Sequence, residues 1–309
     1  MAQSSIAALR IGTRGSPLAL VQARTVQALL AAALKCDPAS IELKIIRTSG
    51  DAIQDRALAE EGGKGLFTKE IEEALLAGAI DLAVHSAKDM PTFLPPDLVL
   101  AACLKREDPR DVFISNKVRN VHELPKGAVV GTTSPRRQAI LKRARPDLEM
   151  LVLRGNVQTR LRKIDEGIAD ATILALAGLK RLGLEARATA IMSVDEFLPA
   201  VGQGAIGIET RANDDRVNAL LAALDDADTS TAIAAERAFL AQLDGSCRTP
   251  IAGHAAIDRD LLQFRGLVAR PDGSAAYETA VAGSRADAVK IGTDAGWALK
   301  QRAGPGFFG

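Results

Sequence analysis

The sequence has little of what several common functions require. Aromatic residues make up 3% of its 309 positions, which leaves few rings on which nucleic-acid bases could stack. Cysteine and histidine occur three times each. Cys36, Cys103 and Cys247 are an odd count without C-x-x-C spacing, so they suggest neither a disulfide framework nor a zinc site, and the histidines are too scattered for a metal centre. Charge of one sign is also missing. Lys and Arg number 39 against 38 Asp and Glu, a net of +1, so any electrostatic function must be local. No apolar run approaches the roughly 20 residues that span a bilayer. The opening "MAQSSIAALR" has no basic segment ahead of an apolar one and does not read as a secretory signal. The expectation is a soluble, cytoplasmic monomer with no metal, membrane or nucleic-acid partner.

What is present is a core-forming chain, 47% hydrophobic and long enough for two or three domains. Strand-like and helix-like segments alternate through most of it, as in doubly wound α/β domains. "LRIGT" (9–13) alternates like a strand, and Ser16-Pro17 predicts a cap and first helical position for a helix to about Leu34. "IELKII" from Ile41 is a second strand. The polar stretch from Thr48 to Gly65 that follows is long enough for a functional lid. A helix from about Thr68 to Leu76 and a strand in "IDLAVHS" come next. "KREDPRD" (105–111) is a charged link that suits a domain boundary. Beyond it the alternation restarts, with Ser134-Pro135 and Asn156 as helix starts and Gly167 as a stop. "LPAVGQGAIGIE" is a Gly-interrupted strand region. After "DDADTS" (225–230) come a helix, a hairpin with a "PDG" turn at 271–273 and a last helix from about Asp287 to Leu299, which together read as a small α+β domain.

Basic residues recur where strands hand over to helices: Arg14 beside Ser16, Lys88 beside Asp89, Arg136 and Arg137 after Ser134, then Arg154, then Lys180 and Arg181. A helix start carries about half a positive charge, so a cation in its first turn costs roughly 0.3 to 1 kcal/mol. For one such turn, side chains extending into water are a sufficient account. For four or five turns on the carboxyl edge of a sheet, where α/β proteins bind ligands, a polyanionic ligand is the better one. Between Gly131 and Lys163 nine basic residues face two acidic ones, a net of +7 that also invites a nucleic-acid reading, although Lys142, Arg143 and Arg145 can simply be solvated.

In "DLAVHSAKDM" (81–90) a lysine stands against an aspartate directly after a mostly apolar stretch, with His85, Ser86, Lys88 and Asp89 expected in the loop after a strand. Asp89 can be the ion-pair partner of Lys88 or of an arginine. Alternatively it stabilises a transient positive charge on a substrate that is otherwise anionic.

The segments "TRGSPLALVQA", "GGKGLFTKEIE", "HSAKDMPT", "REDPRDVFIS", "GTTSPRRQ", "LRGNVQTRL", "LALAGLKRLG", "VGQGAIGIE" and "AERAFLAQLDGSCRTPI" together resemble the porphobilinogen deaminase (hydroxymethylbilane synthase) family, in order from Leu9 to about Ile251 and more weakly to Ala298. The resemblance implies a transferase of porphyrin (haem) biosynthesis that deaminates four porphobilinogen molecules and joins them head to tail into the linear tetrapyrrole hydroxymethylbilane. It also implies a dipyrromethane cofactor held as a thioether on Cys247. Asp89 falls on the family's catalytic aspartate. Arg14, Ser16, Ser86, Lys88, Ser134, Arg136, Arg137, Arg154, Arg160 and Arg181 fall on positions that contact cofactor or substrate, as do Lys64, Phe67 and Gln203. Glu60 stands where the family pattern has a lysine, and Pro135 where leucine is common.

The implied fold is α/β, with two doubly wound domains resembling type II periplasmic binding proteins plus a small C-terminal α+β domain. The corresponding ranges are 1–104 with 202–222, 110–198, and 227–309. A solute-binding module for a dicarboxylate is the rival from another class. Such a module needs the arginines, but neither Asp89 nor a reactive thiol.

Overall fold

The structure is a computed structural model, and it describes residues 9–52, 67–243 and 249–307. The first part of the chain builds β1 (Arg10–Thr13), α1 (Pro17–Leu34), β2 (Glu42–Ile45), the short α2 (Ser49–Ala52), α3 (Lys69–Leu76), β3 (Leu82–Ser86) and β4 (Leu98–Cys103). The chain then crosses to β5 (Asp111–Ile114), β6 (Val129–Gly131), α4 (Pro135–Ala144), β7 (Glu149–Leu151), α5 (Val157–Asp165), β8 (Ala171–Ala175), α6 (Leu176–Arg181) and β9 (Ala190–Ile191). It returns through β10 (Ile206–Arg211) and α7 (Asp215–Ala222), and ends with α8 (Ala227–Gln242), β11 (Ile251–Asp258), β12 (Leu261–Ala269), β13 (Ala276–Ser284) and α9 (Ala288–Ala303).

Three sheets result. The first has the order β2-β1-β3-β10-β4 and the second β7-β6-β8-β5-β9, while β11, β12 and β13 form an antiparallel meander. In each five-stranded sheet the strand that arrives from the other sheet is antiparallel to its inner neighbour: β10 against β3, and β5 against β8. Each unit therefore carries one strand delivered across the junction, and two connections cross between them. The C-terminal unit has three strands where the sequence suggested a hairpin, because β11 pairs along its full length with β12.

Local chemistry explains most element ends. Ser16 accepts a hydrogen bond from the Ala19 amide, and Pro17 occupies the first turn of α1, where its missing N–H costs nothing. Asn156 caps α5 through the Thr159 amide. Lys35 at the end of α1 takes a left-handed φ of 54°, a conformation that glycine more often supplies.

One expectation needs correction. The strand expected in "IDLAVHS" is present, but the loop placement of His85 and Ser86 is not: both lie inside β3, paired with Gly207 and Ile206 of β10, and only Lys88 and Asp89 lie beyond it, in a 3-10 turn over Ala87–Asp89. Pairing with a delivered strand extends β3 two residues past its local apolar run. A second correction concerns α1, which has 18 residues and a mean hydropathy of 1.4 and so is long and apolar enough to cross a membrane by length and composition. In this fold Gln22, Ala23, Val26, Leu30 and Ala31 are its buried positions, and most of them join Leu9, Ile11, Leu82, Val84, Ile206 and Ile208 in one core.

The C-terminal unit is packed on both others. Ala252, Leu267 and Ala269 join the core of the second unit. Ile233 of α8 packs with Ala87, Cys103 and Ala205 of the first. Glu236, fully buried on α8, receives Arg106 Nη1 at 2.6 Å, the Gly202 amide at 2.7 Å and the Ala255 amide at 2.8 Å. One carboxylate thus joins both interdomain connections to the third unit.

Candidate active site

β3 ends at Ser86, and the turn behind it presents Lys88 and Asp89 between the two five-stranded sheets. Two features hold that turn in place. The Ala87 amide donates to Ala205 O at 3.0 Å, so the returning chain runs directly beneath it. Gly202 makes this approach possible: its φ is +74°, and a Cβ there would lie 2.8 Å from the Lys88 backbone nitrogen. Ser86 in turn hydrogen-bonds Gln22 of α1 at 2.9 Å.

A cavity of about 100 Å³ opens at this point. Ser86, Lys88 and Gln22 line one side, and Arg137, Arg160 and Arg181 line the other. Arg160 reaches it from α5, where its Nε donates to Gly155 O at 2.9 Å and its Nη2 to Thr133 Oγ1 at 3.4 Å. Arg181, at the end of α6, donates to Gly204 O at 2.7 Å.

The electrostatics are those of an anion site. Desolvation pushes the Lys88 ammonium down to about 8. The charges of Arg137 and Arg136 add to the fall, while Asp89 and Asp111 oppose it. Part of the Lys88 surface remains accessible, yet the ammonium is enclosed by these groups. Arg160 is pushed down to about 10 by burial, with Arg137 and Arg154 adding to the shift and Asp89 opposing it. Burial lowers Arg181 as well. Cations depressed by burial and by one another are stabilised by an anion that shares their space. Asp89, from the other unit, acts on both Lys88 and Arg160, so it belongs to the same cleft.

Arg136 and Arg137 are buried in the first turn of α4, and both reach Asp111 at the start of β5. Arg136 Nη2 lies 2.6 Å from Oδ2, and Arg137 Nη2 lies 2.7 Å from Oδ1. Their other terminal nitrogens donate to the carbonyls of Leu198 and Ile173. Burial alone would push the Asp111 carboxyl up, but the two guanidiniums outweigh it and hold it at about 2. Sequence reasoning missed Asp111. The signal was present in "REDPRD", which reads as a link, although its last residue begins a buried strand. The triad explains how two cations are tolerated at a helix start, and its net charge of +1 borders the Lys88 pocket.

The remaining predicted residues take varied positions. Gln203 is 1% exposed and donates to Pro109 O at 2.7 Å and Asp111 Oδ1 at 3.0 Å, while its Oε1 lies 3.4 Å from Lys88 Nζ. Ser16 and Ser134 serve as helix caps. The Arg14 guanidinium stacks over the Phe67 ring, 4.1 Å from its centroid. Arg154 follows β7, and its charge is felt at Arg160. Arg143 is exposed, as expected, and pairs with the equally exposed Glu278, whereas Arg145, expected in solvent, is half-buried against Asp147 and the carbonyls of Val121, His122 and Leu124. Lys64, Cys247 and Glu60, and all of the expected lid beyond Ala52, lie outside the described residues.

The cleft suits a dipyrromethane in its donor set. A pyrrole bearing acetate and propionate groups needs several cations around one cavity, and Lys88, Arg137, Arg160 and Arg181 line this one.

Comparison with known proteins agrees with this chemistry. The family pattern described as porphobilinogen deaminase, dipyromethane cofactor binding domain, matches residues 9–219, and that described as porphobilinogen deaminase, C-terminal domain, matches 230–301. The porphobilinogen deaminase of Nitrobacter hamburgensis is 61% identical over 298 residues, covering 96% of this chain and 94% of the relative. That of Nitrobacter winogradskyi is 62% identical with the same coverage. Among solved structures, lipoprotein Tp32 from Treponema pallidum aligns with a TM-score of 0.44 at 16% identity, covering 71% of this chain and 91% of that one. A lipoprotein from Bacillus subtilis aligns with a TM-score of 0.43 at 15% identity, covering 72% and 92%.

Proposed function

The chain belongs to the porphobilinogen deaminase family, and from that premise we propose how its own residues carry the reaction. The activity is the deamination and head-to-tail joining of four porphobilinogen molecules into the linear tetrapyrrole hydroxymethylbilane. The dipyrromethane, when bound, supplies the pyrrole carbon from which the chain grows.

Asp89 serves the cation that forms when ammonia departs from porphobilinogen. Its carboxylate accepts a hydrogen bond from the substrate pyrrole N–H and stabilises the positive charge as it develops. Lys88, Arg160, Arg181 and Arg137 hold acetate and propionate groups, with Ser86 as a further donor. Arg14 and Arg154 serve the same anions from the rim. Arg136 acts through Asp111, which fixes α4 and therefore Arg137. Gln203 ties the Lys88 side of the cleft to Asp111. Ser16 and Ser134 set the starts of the helices that bear on the site. Lys64 contributes from the segment that precedes Phe67, and Cys247 carries the cofactor as a thioether. The observation that carries this reading is the cavity in which Ser86 and Lys88, the latter in the same turn as Asp89, face Arg137, Arg160 and Arg181.

We divide the chain into three domains, 1–104 with 202–222, 110–198 and 227–309, a reading that the three separate sheets support. The chain works as a cytoplasmic monomer. It has no nucleic-acid partner, because the basic stretch from Gly131 to Lys163 spends Arg136 and Arg137 on Asp111, Arg143 on Glu278 and Arg145 on Asp147. It has no membrane partner either, since the apolar face of α1 packs on the first sheet. The test is incubation of the purified protein with porphobilinogen. One ammonia should be released per unit consumed, with a linear tetrapyrrole as product. Binding without ammonia release would leave the dicarboxylate-binding module as the better account.

A further inference from the structure

His85 and Glu209 form a buried imidazole–carboxylate pair that the chemistry above leaves unused. His85 Nε2 lies 3.0 Å from Glu209 Oε2, with the two side chains 3% and 0% exposed. Neither oxygen of Glu209, nor His85 Nε2, has a partner in hydrogen-bonding geometry among the described residues. Polar groups placed in a sheet interior carry a desolvation penalty, and apolar side chains of similar volume usually stabilise such a place as well or better. The location of this pair gives it a different use.

In the β3 and β10 ladder His85 opposes Gly207 and Ala83 opposes Glu209, so His85 and Glu209 are diagonal neighbours on one face of the sheet. Gly207, opposite His85, has no side chain, and neighbours occupy the place of one: a Cβ there would lie 3.0 Å from Met90 Sδ and 2.9 Å from Leu100 Cδ1. Met90 is the residue after Asp89. The turn that carries Lys88 and Asp89 therefore packs, through Met90, on the strand position that opposes His85. The pairing of β3 with β10 also ends one residue past His85, at Ser86 and Ile206. Two more charged groups face the pair. Glu72 of α3 is raised by burial and further by Glu209, and it feels His85 in the opposite sense. Arg237 of α8 feels Glu209 and donates to the carbonyls of Pro91 and Thr92, both at 3.0 Å, just beyond the same turn.

We propose that His85 and Glu209 are positioning residues for the Asp89 turn, a close polar contact that sets the register where β3 ends and so where the Lys88 and Asp89 side chains point. A buried polar pair of this kind is retained for the specific arrangement it imposes rather than for its net stability. The inference rests on the deaminase reading of the site, because its readout is turnover of porphobilinogen.

The test compares wild type with Glu209→Gln and with the double variant His85→Leu and Glu209→Met. The expected result for the double variant is a melting temperature and cofactor mass equal to wild type, an unchanged KM and a kcat lower by about 10- to 100-fold, the scale on which a displacement near 1 Å acts. Glu209→Gln keeps the shape without the charge and should fall between the two. Wild-type kcat in the double variant at equal stability overturns the inference. If the double variant does not fold, Glu209→Gln decides, and a full wild-type kcat there overturns it equally. A wild-type protein that releases no ammonia from porphobilinogen refutes the activity itself, a separate outcome.

Discussion

Arg136 and Asp111 meet in the interior with Nη2 2.6 Å from Oδ2, their side chains 4% and 0% exposed, and Arg137 holds the other carboxylate oxygen. Asp111→Asn leaves two buried guanidiniums facing each other without their counter-charge. The expected loss is about 3 to 5 kcal/mol of stability, the usual cost of breaking a buried pair. The sign with pH follows from a carboxyl held at about 2 when folded against an ordinary 3.8. Its contribution is present above the ordinary value and is lost as pH falls through that window. Thermal unfolding of wild type and Asp111→Asn at neutral pH and at pH 3 checks both claims, and equal melting temperatures at neutral pH contradict them.

Lys88 should set an alkaline limit on activity. With its folded value at about 8 against an ordinary 10.5, the free enzyme loses this cation as pH rises past 8. The kcat/KM for porphobilinogen should then fall on the alkaline side, and the limb should disappear in Lys88→Met. Stability runs the other way. Between about 8 and 10.5 the unfolded chain binds the proton that the folded chain has released, so this residue's contribution to folding improves with rising pH. A wild-type limb that persists unchanged in Lys88→Met would assign it to another group.

Asp89→Ala is expected to abolish turnover at wild-type stability, since the side chain is exposed and serves a transient charge rather than a core contact. Asp89→Glu should retain a fraction, because its charge survives in a displaced position. Steady-state rates with a melting curve for each variant decide this. Appreciable turnover by a stable Asp89→Ala protein would falsify the assignment.

The thiols separate the enzyme from any binding-only protein. Cys103 ends β4 in the core, and burial pushes its thiol up to about 11, so it should resist modification in the folded protein. Cys36 is partly exposed and should react. After denaturation two thiols should titrate although the sequence holds three, and the intact mass should exceed the chain mass by two deaminated porphobilinogen units, located on the peptide containing Cys247. Cys247→Ser should lose both adduct and activity, whereas Cys36→Ser and Cys103→Ser should keep them. Three titratable thiols in an active preparation contradict the thioether.

Substituting the cleft arginines should separate binding from folding. Arg160→Leu and Arg181→Leu remove cations whose charged forms are disfavoured by burial, so neither should lower the melting temperature appreciably. Both should raise KM for porphobilinogen or stall chain growth, which intact-mass analysis of the enzyme-bound intermediates would register. Normal elongation in both variants would return these side chains to a structural role.

Local signals made much of this readable from sequence. Caps such as Ser16 and Asn156, with Pro17 and Pro135 at helix starts, mark α1, α4 and α5 because their physics is contained within four residues. The run of cations at strand ends announced an anion site for the same reason. What depended on partners distant in sequence was hidden. The extension of β3 through His85 and Ser86 needs β10, more than a hundred residues later. The burial of Arg136 and Arg137 needs Asp111. Arg145 looked solvated until Asp147 and three carbonyls from the segment before α4 were found around it. The β11 strand was missed because its pairing with β12 is not marked by a turn signal of the "PDG" kind that announces the β12–β13 hairpin.

The route of the chain has a consequence for synthesis on the ribosome. β3 and β4 emerge early, but the strand that fits between them, β10, follows roughly a hundred residues later, a delay of about 5 to 20 s at ordinary elongation rates. During that interval the second unit lacks none of its own strands and can close. The first must wait with two facing edges open and the future Lys88 and Asp89 turn unsupported from beneath. The order of birth is thus the reverse of the order of completion: the anion-holding half is finished before the half that bears the catalytic carboxylate. Chaperone dependence of nascent chains should accordingly be greatest for truncations ending between Cys103 and Ile206.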